Sequence, residues 1–379
     1  MTGEHVFRNA TIVLEDRLVE GSLVVRDGRI AAIDEGPSSV GEDLSGDYLL
    51  PGLVELHTDH LESHYSPRPG LRWGMTAAIQ AHDAQVAASG ITTVFDCLRM
   101  GSDDDGGFEP GEMRAMADAI EAAGRDNRLR AEHLIHLRCE VSAPDVLEHF
   151  STFVGDNKVR LVSLMDHAPG QRQFQTMDQY ILYYKTMRGL SDEAFDALVA
   201  RRKEASARYS KRHRDAIAGY CRALGIAIAS HDDATVEHVE EAIGYGVRLA
   251  EFPTSVEAAR ASHEAGMSVL MGAPNVVRGG SHSGNVSARE LARHGLLDVL
   301  SSDYVPFSLI QAPFLLAASE EAIDLPGAIA MVSAIPARTV GLEDRGRIEV
   351  GLRADLVRVE HRGEVPIVRS VWREGRRVA

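Results

Sequence analysis

Eight short apolar runs, each separated from the next by an amphipathic helical stretch, constrain this chain more than any other feature of its sequence. The runs are residues 52–56, 91–96, 131–140, 159–166, 226–230, 249–252, 268–271 and 297–302. Such runs are typical of buried parallel strands joined by crossover helices. Eight strand-helix units over about 285 residues predict an α/β fold with a (β/α)8 TIM-like barrel, which typically takes about 250 residues. A doubly wound open sheet is the alternative.

Both ends of the chain have a different rhythm. Residues 6–33 and 346–373 alternate apolar and polar side chains and are broken by turn signals such as Asp27-Gly28 and Gly351. This period of two is typical of half-buried antiparallel strands. Since neither end can close a core alone, we expect residues 1–50 plus 338–379 to form a small β-sandwich domain and residues 51–337 to form the barrel.

Charge and cysteine usage limit the class of protein. The chain has 56 acidic and 40 basic side chains and a formal net charge of −16, so its overall field repels nucleic acid, and any anionic ligand must be bound by a local cluster. The odd number of cysteines, 3, indicates reduced thiols. The start has no signal-peptide pattern, and no apolar run reaches the roughly 18 residues of a membrane helix. We therefore expect a cytoplasmic protein with neither a membrane nor a nucleic-acid partner.

Metal-ligand side chains stand where several of the apolar runs end. Barrel enzymes have their active sites at the carboxyl ends of the strands, and imidazoles and carboxylates suit divalent metal ions. A single histidine or carboxylate at a strand end is more often structural, but five such strand ends in one barrel predict a metal site. The candidate ligands are His57, Asp59, Glu140, His167, His231 and Asp303.

Lysine usage restricts how two ions could be bridged. The chain has four lysines and none ends an apolar run, so a carboxylated lysine is not available as the bridge. Glu140 is the candidate bridging ligand, because a carboxylate can span two divalent ions about 3.5 to 4 Å apart. Asp303 could accept the proton of the attacking water, and we take His231 and Asp303 as the candidate catalytic residues.

A glycine-rich loop after the seventh run carries phosphate-binding residue types. Glycines allow close approach of backbone N–H groups to an anion, and arginine can bind a phosphate with two parallel hydrogen bonds. A solvated loop is the alternative reading. The candidate substrate-binding residues are Arg278, Ser281, His282 and Asn285 in this loop, with Arg68, Arg138, Arg172 and Lys185 in other segments expected near the barrel opening.

Two sets of motifs resemble a known family. The segments PGLVELHTD (51–59), ASGITTV (88–94) and GLRADLV (351–357) resemble the amidohydrolase superfamily, which joins a metal-bearing barrel to a β-sandwich made from both termini. A second set resembles, more narrowly, the diphosphatases of the carbon–phosphorus lyase pathway of phosphonate utilisation. That set comprises HLRCE (136–140), SLMDH (163–167), ASHDDAT (229–235), RGGSHSGN (278–285) and SSDY (301–304).

The resemblance implies a reaction and a cofactor. The reaction is hydrolysis of alpha-D-ribose 1-methylphosphonate 5-triphosphate to the 5-phosphate and pyrophosphate, by attack of a metal-bound hydroxide on the α-phosphorus. The substrate would then be a small phosphorylated ribose phosphonate, and the cofactor one or two divalent ions, with zinc preferred over manganese or magnesium. A homodimer is also expected.

Two departures from the superfamily pattern leave the ligand set open. Asp59 stands where the superfamily has the second histidine of His-x-His, and Glu251 stands where a histidine on strand six is usual. His82 and Asp83 match the family, yet the sequence suggests no role for them. Hydrolysis of a cyclic amide or another C–N bond is the alternative function, and a noncatalytic metal-stabilised binding protein is a third.

Overall fold

A computed structural model represents the chain and describes residues 3–102, 108, 110–169, 172, 181, 190–280, 285–363 and 365–379. Three predicted substrate-binding residues, Lys185, Ser281 and His282, lie outside the described residues. The strands are β1 (Glu4–Val13), β2 (Leu18–Arg26), β3 (Arg29–Glu35), β4 (Glu42–Asp43), β5 (Tyr48–Pro51), β6 (Leu53–Thr58), β7 (Ile91–Met100), β8 (Glu132–Glu140), β9 (Val159–Met165), β10 (Ala227–His231), β11 (Leu249–Glu251), β12 (Ser268–Gly272), β13 (Val299–Ser301), β14 (Leu356–Glu360), β15 (Ile367–Arg373) and β16 (Arg376–Arg377).

The helices that the structure describes alternate with these strands through the middle of the chain. They are α1 (His60–Tyr65), α2 (Met75–Ala88), α3 (Pro110–Arg125), α4 (Val146–Ser151), α5 (Asp192–Leu224), α6 (Val236–Tyr245), α7 (Val256–Glu264), α8 (Ala273–Arg278), α9 (Ala288–Arg293), α10 (Ser308–Ser319), α11 (Leu325–Ala330) and α12 (Ala334–Thr339). Among the described residues, no helix combines the length and the apolar character needed to span a membrane.

The eight predicted runs form the eight parallel strands of a barrel, so the predicted fold class is confirmed. Strands β6 to β13 pair in chain order. A parallel bridge between Thr58 and Asp303 joins the last strand to the first. The carboxyl ends of all eight strands therefore meet at one rim, which is where sequence analysis expected the active site.

Side-chain alternation divides the barrel strands into two faces. Phe95 of β7 and Leu134 of β8 belong to the core inside the barrel. Their neighbours Asp96 and His133 point the other way, towards the helices, because successive side chains of a strand alternate. Cys139 of β8 packs in the core between barrel and helices. The three cysteines are buried free thiols.

The two ends of the chain form one sheet of eight strands. Its order is β16-β15-β14-β5-β1-β2-β3, with β4 beside β1, so strands from both termini pair directly through β5 and β14. Phe7, Leu23 and Trp372 lie in its core, where the rings of Phe7 and Trp372 meet edge to face at 4.7 Å. The division into domains at residues 50/51 and 337/338 stays a prediction.

An ion-pair cluster connects the start of β8 to the C-terminal segment. Both Arg345 and Arg353 place Nη1 2.7 Å from Oε2 of Glu132. The two guanidinium groups are almost fully buried, with 6% and 8% of their side chains exposed. Despite the opposing effect of burial, their charges lower the pKa of Glu132 from 4.5 to about 2. The cluster therefore contributes to the stability of the folded chain only while Glu132 is ionised.

We predict that Glu132→Gln lowers the free energy of unfolding by about 2 kcal/mol at pH 7, since two buried guanidinium groups lose their shared carboxylate. Because the folded-state pKa of Glu132 is depressed, the difference from the parent protein should be full above pH 4.5 and disappear as the pH falls towards 2. Urea unfolding at several pH values measures this difference. Glu264→Gln, at an exposed position, is the control, and an equal effect of both substitutions would contradict the prediction.

Candidate functional site

The candidate site lies at the carboxyl-terminal rim, where β6, β10, β11 and β13 end. The imidazole rings of His57 and His231 have their centroids 5.8 Å apart. The ring of Phe252 meets both imidazoles edge to face, with its centroid 5.0 Å from that of His57 and 5.3 Å from that of His231. The carboxyl group of Asp303 interacts electrostatically with His57 and His231. Three of the predicted catalytic and metal-binding residues are thus brought together although they are spread over nearly 250 positions of the chain.

Glu251 orients His57. It is fully buried at the end of β11, and its Oε1 lies 3.1 Å from Nδ1 of His57. Its Oε2 accepts a hydrogen bond from Oγ of Ser163 at 2.6 Å. Although burial opposes it, interaction with His57 and His136 holds the pKa of Glu251 well below its ordinary value. A carboxylate therefore replaces the missing strand-six histidine as a ligand candidate.

A second group of imidazoles and carboxylates includes the end of β8. His167 places Nδ1 2.7 Å from Oε2 of Glu140, and Nε2 3.8 Å from Oδ2 of Asp232. The same Asp232 oxygen lies 2.8 Å from Nδ1 of His231. His231 therefore belongs to both groups, and its ring lies 5.8 Å from that of His57 and 5.7 Å from that of His167, measured between ring centroids.

The donors fit divalent metal ions. His57, His231 and Glu251 can each offer one ligand atom such that the three atoms lie within 4.8 Å of one another, and the same holds for His167, His231 and Asp232. Nε2 of His231 is buried and has no hydrogen-bond partner among the residues that the structure describes. A buried polar atom without a partner is costly, and a metal ion would satisfy it. Imidazole nitrogens with carboxylate oxygens are a suitable ligand set for zinc.

Asp59 lies at the same rim but has a different partner. Its Oδ1 accepts a hydrogen bond from Nη1 of Arg138 at 2.6 Å. Although burial opposes it, the charge of Arg138 holds the pKa of Asp59 well below its ordinary value. The roles of Asp59 as a metal ligand and of Arg138 in substrate binding stay predictions.

Backbone hydrogen bonds fix Asp303. Its N–H donates to the carbonyl oxygen of His57 at 3.1 Å, and its carbonyl accepts from the N–H of Asp59 at 3.2 Å. Its φ of 53° lies in the left-handed region, which aspartate tolerates better than most residues. Burial raises the pKa of its carboxyl group. A carboxylate held in a strained backbone at a barrel rim is suited to functional use.

Glu55 supports this junction. It is fully buried and accepts backbone hydrogen bonds from His57 at 2.7 Å and from Ser302 at 2.5 Å. Burial raises the pKa of Glu55 to about 7. Its carboxyl group therefore joins the ends of the first and last barrel strands, a role that the sequence pattern does not predict.

The predicted phosphate-binding cations differ in their surroundings. Arg172 is buried and pairs with Asp233 and, at 2.7 Å, with Glu241. Arg68 and Arg278 are exposed. Arg278 ends α8, and Gly279 follows with a φ of 83°, so the chain turns there into the glycine-rich loop. Asn285 is half-buried, just ahead of α9. The substrate-binding roles of these residues stay predictions.

The sequence profile of the amidohydrolase family matches residues 69–379. The chain belongs to the amidohydrolase family. This membership agrees with the resemblance of the strand-end motifs, and divalent metal ions are the usual cofactors of the family. The histidine and carboxylate groups described above are where this chain could bind such ions.

A relative of known function matches nearly all of the chain. The alpha-D-ribose 1-methylphosphonate 5-triphosphate diphosphatase of Escherichia coli K12 is 46% identical over 98% of this chain and 100% of its own length. The L-hydantoinase of Paenarthrobacter aurescens is 23% identical over 79% of this chain and 68% of its own length.

Solved structures share the fold. The N-acetyl-D-glucosamine-6-phosphate deacetylase of Mycobacterium smegmatis has a TM-score of 0.64 at 16% identity, with 99% of both chains covered. The dihydropyrimidinase of Brevibacillus agri has a TM-score of 0.59 at 15% identity, with 99% of this chain and 95% of that chain covered. At such low identity these likenesses concern the fold alone.

Proposed function

We propose that this protein hydrolyses alpha-D-ribose 1-methylphosphonate 5-triphosphate to the 5-phosphate and pyrophosphate. The observation that carries the proposal is the 46% identity to a diphosphatase of that name over the full length of the relative. The amidohydrolase fold and the histidine and carboxylate groups at its rim support hydrolytic chemistry. We also propose a cytoplasmic location and a homodimer, which the sequence predicts.

The residues that would hold one or two divalent ions are those of the two rim groups. Zinc is the first choice for these imidazoles, with manganese or magnesium as alternatives. Bound there, the ions would supply Lewis acidity towards phosphate oxygens and activate a water molecule. The proposed ligands are His57, Glu140, His167, His231, Asp232, Glu251 and Asp303, with Asp59 as a further ligand if it leaves Arg138.

In the proposed reaction, the oxygen of water forms a bond to the α-phosphorus. The bond from the α-phosphorus to the oxygen that it shares with the β-phosphorus breaks. Pyrophosphate leaves with the electron pair of that bond. We propose that the carboxylate of Asp303 accepts the proton of the water, because the backbone bonds to His57 and Asp59 hold it at the rim. His231 lies within the same group and would help to orient the reacting water.

The phosphate chain needs positive partners that the net charge of −16 does not supply. Arg278, Asn285 and Arg68 are proposed to bind the phosphates, together with Ser281, His282 and Lys185. Arg138 and Arg172 are already paired with Asp59 and Asp233, so we propose that they position carboxylates or bind a phosphate oxygen through remaining N–H groups.

Phosphorus NMR of the reaction in ¹⁸O-labelled water tests the proposed function. We expect the label in the ribose 5-phosphate and not in pyrophosphate, because the α-phosphorus is attacked. Label in pyrophosphate would show attack at the β-phosphorus and contradict the mechanism. Failure of the metal-loaded protein to consume the triphosphate would contradict the function itself.

Asp303→Asn should lower kcat by a factor of about 10² to 10⁴, because the amide cannot accept the proton. Metal content, measured by mass spectrometry, should remain at half the parent value or more. Asp298→Asn is the matched control, since Asp298 precedes the same strand, β13, at the opposite end of the barrel. Full activity of the Asp303 variant would remove this residue from the proposed mechanism.

Arg278→Ala should raise KM for the triphosphate by a factor of about 10 to 100 with little change in kcat, because a charge-assisted phosphate contact is lost. The likeness to the hydantoinase favours a second candidate function, hydrolysis of a cyclic amide. The same variant should leave turnover of an uncharged cyclic amide unchanged. Arg293→Ala is the control, because Arg293 is exposed and pairs with Glu320 on the surface. An unchanged KM for the triphosphate would exclude Arg278 from phosphate binding.

A further inference from the structure

Three histidines that the rim site does not use meet between α1 and α2. His60 and His64 are four residues apart on α1, a spacing that places both on one face of a helix. His82 lies on α2 and is fully buried. The ring centroids of His60 and His64 are 4.8 Å apart, and the ring centroid of His82 lies 5.8 Å from that of His60 and 6.0 Å from that of His64. We call these three residues the α1–α2 histidine cluster.

One nitrogen on each ring of the cluster is unsatisfied. Nδ1 of His60, Nε2 of His64 and Nδ1 of His82 are buried and have no hydrogen-bond partner in the described part of the chain. Each ring can offer a nitrogen such that the three nitrogens lie within 4.8 Å of one another. Burial lowers the pKa of His64, which favours the neutral imidazole that binds metal ions. Three uncompensated polar atoms at one place are costly unless something else binds them.

A buried network of carboxylates and imidazoles holds His82. Its Nε2 lies 2.8 Å from Oδ1 of Asp96, while Oδ2 of Asp96 lies 2.7 Å from Nδ1 of His133. Nε2 of His133 in turn lies 3.3 Å from Oδ1 of Asp83. When Nε2–H of His82 donates this hydrogen bond to Asp96, the lone pair of the neutral ring is on Nδ1, the nitrogen without a partner. Histidines that bind metals usually donate their other ring N–H to a carboxylate in this way, which fixes the tautomer.

The cluster is separate from the rim site. Asp96 and His133 point away from the barrel interior, because Phe95 and Leu134 next to them lie inside it. His82 and its network therefore lie between the barrel wall and α2. The rim donors His57 and Glu251 interact with Ser163 and Phe252 instead.

We propose that His60, His64 and His82 form a second metal site, for a divalent transition-metal ion such as Zn²⁺, distinct from the rim site. Three neutral imidazoles suit zinc, and two histidines four residues apart on a helix are a spacing that zinc sites use. The ion would fasten α1 to α2. Because α1 follows directly after His57 and Asp59, the site would stabilise the segment that leads from the rim to Arg68. This inference does not rest on the proposed function.

Metal counting on the full-length protein tests the proposal. The parent protein, His64→Gln and the control His294→Gln, which alters an exposed histidine, are stripped with chelator, loaded with Zn²⁺ and freed of excess metal by gel filtration. We expect His64→Gln to hold one equivalent less than the parent protein and the control to hold the same number. Equal zinc content in all three proteins overturns the proposal.

A second variant and a second measurement separate a metal site from a merely structural cluster. His60→Gln should show the same loss of one zinc equivalent, and circular dichroism checks that both variants are folded. Zn²⁺ should raise the Tm of the chelator-treated His231→Asn variant, in which the rim site is weakened, and adding His64→Gln should reduce this rise. A Zn²⁺-dependent rise of the same size in the double variant contradicts the proposal. Pyrophosphate release is assayed separately, so failure here leaves the proposed function standing.

Discussion

The candidate site depends on the junction between the first and last barrel strands. There the backbone of Asp303 bonds to both His57 and Asp59, and Glu55 accepts the N–H groups of His57 and Ser302. These bonds join the end of β6 to the segment after β13, while on its other side β6 pairs with β7 through a register irregularity between Glu55 and Thr58. Residues nearly 250 positions apart become neighbours only because the barrel closes at this point.

Electrostatics indicate what a bound cation would contribute at such a site. Buried carboxylates are costly unless they are paired, and Glu140, Asp232 and Glu251 each find an imidazole partner. Two arginines are likewise paired, Arg138 with Asp59 and Arg172 with Asp233. Little of their positive charge is then left for an anionic substrate. In a protein with a net charge of −16, divalent ions bound by the imidazoles and carboxylates would supply much of the attraction for a phosphate chain.

Local pattern was enough to predict the strands and the rim, and it failed where partners come from distant segments. The apolar runs predicted all eight barrel strands, because burial on both faces leaves a continuous signal. The sequence pattern marks Glu251 only as the position of an absent histidine, although this residue ends strand β11. The pattern predicts His231 as a ligand but not the adjacent Asp232. The pairings of Arg138 and Arg172 join residues more than 60 positions apart, and no periodicity encodes them.

His82 and Asp83 are a further example of residues whose partners come from distant segments and cannot be predicted from local pattern. Their helix position gives no hint of a role, since the partners Asp96 and His133 come from two different strands. The structure also relates the α1–α2 histidine cluster to the rim site: Thr58, between His57 and Asp59, is the register partner of Asp96 across β6 and β7. His57 of the rim site and Asp96, which holds His82, therefore lie on opposite faces of the strand pair formed by β6 and β7. A shift of β6 against β7 would displace both His57 and the Asp96 carboxylate that bonds to His82. A metal ion that fixes α1 against α2 would therefore also restrain the strand that carries His57.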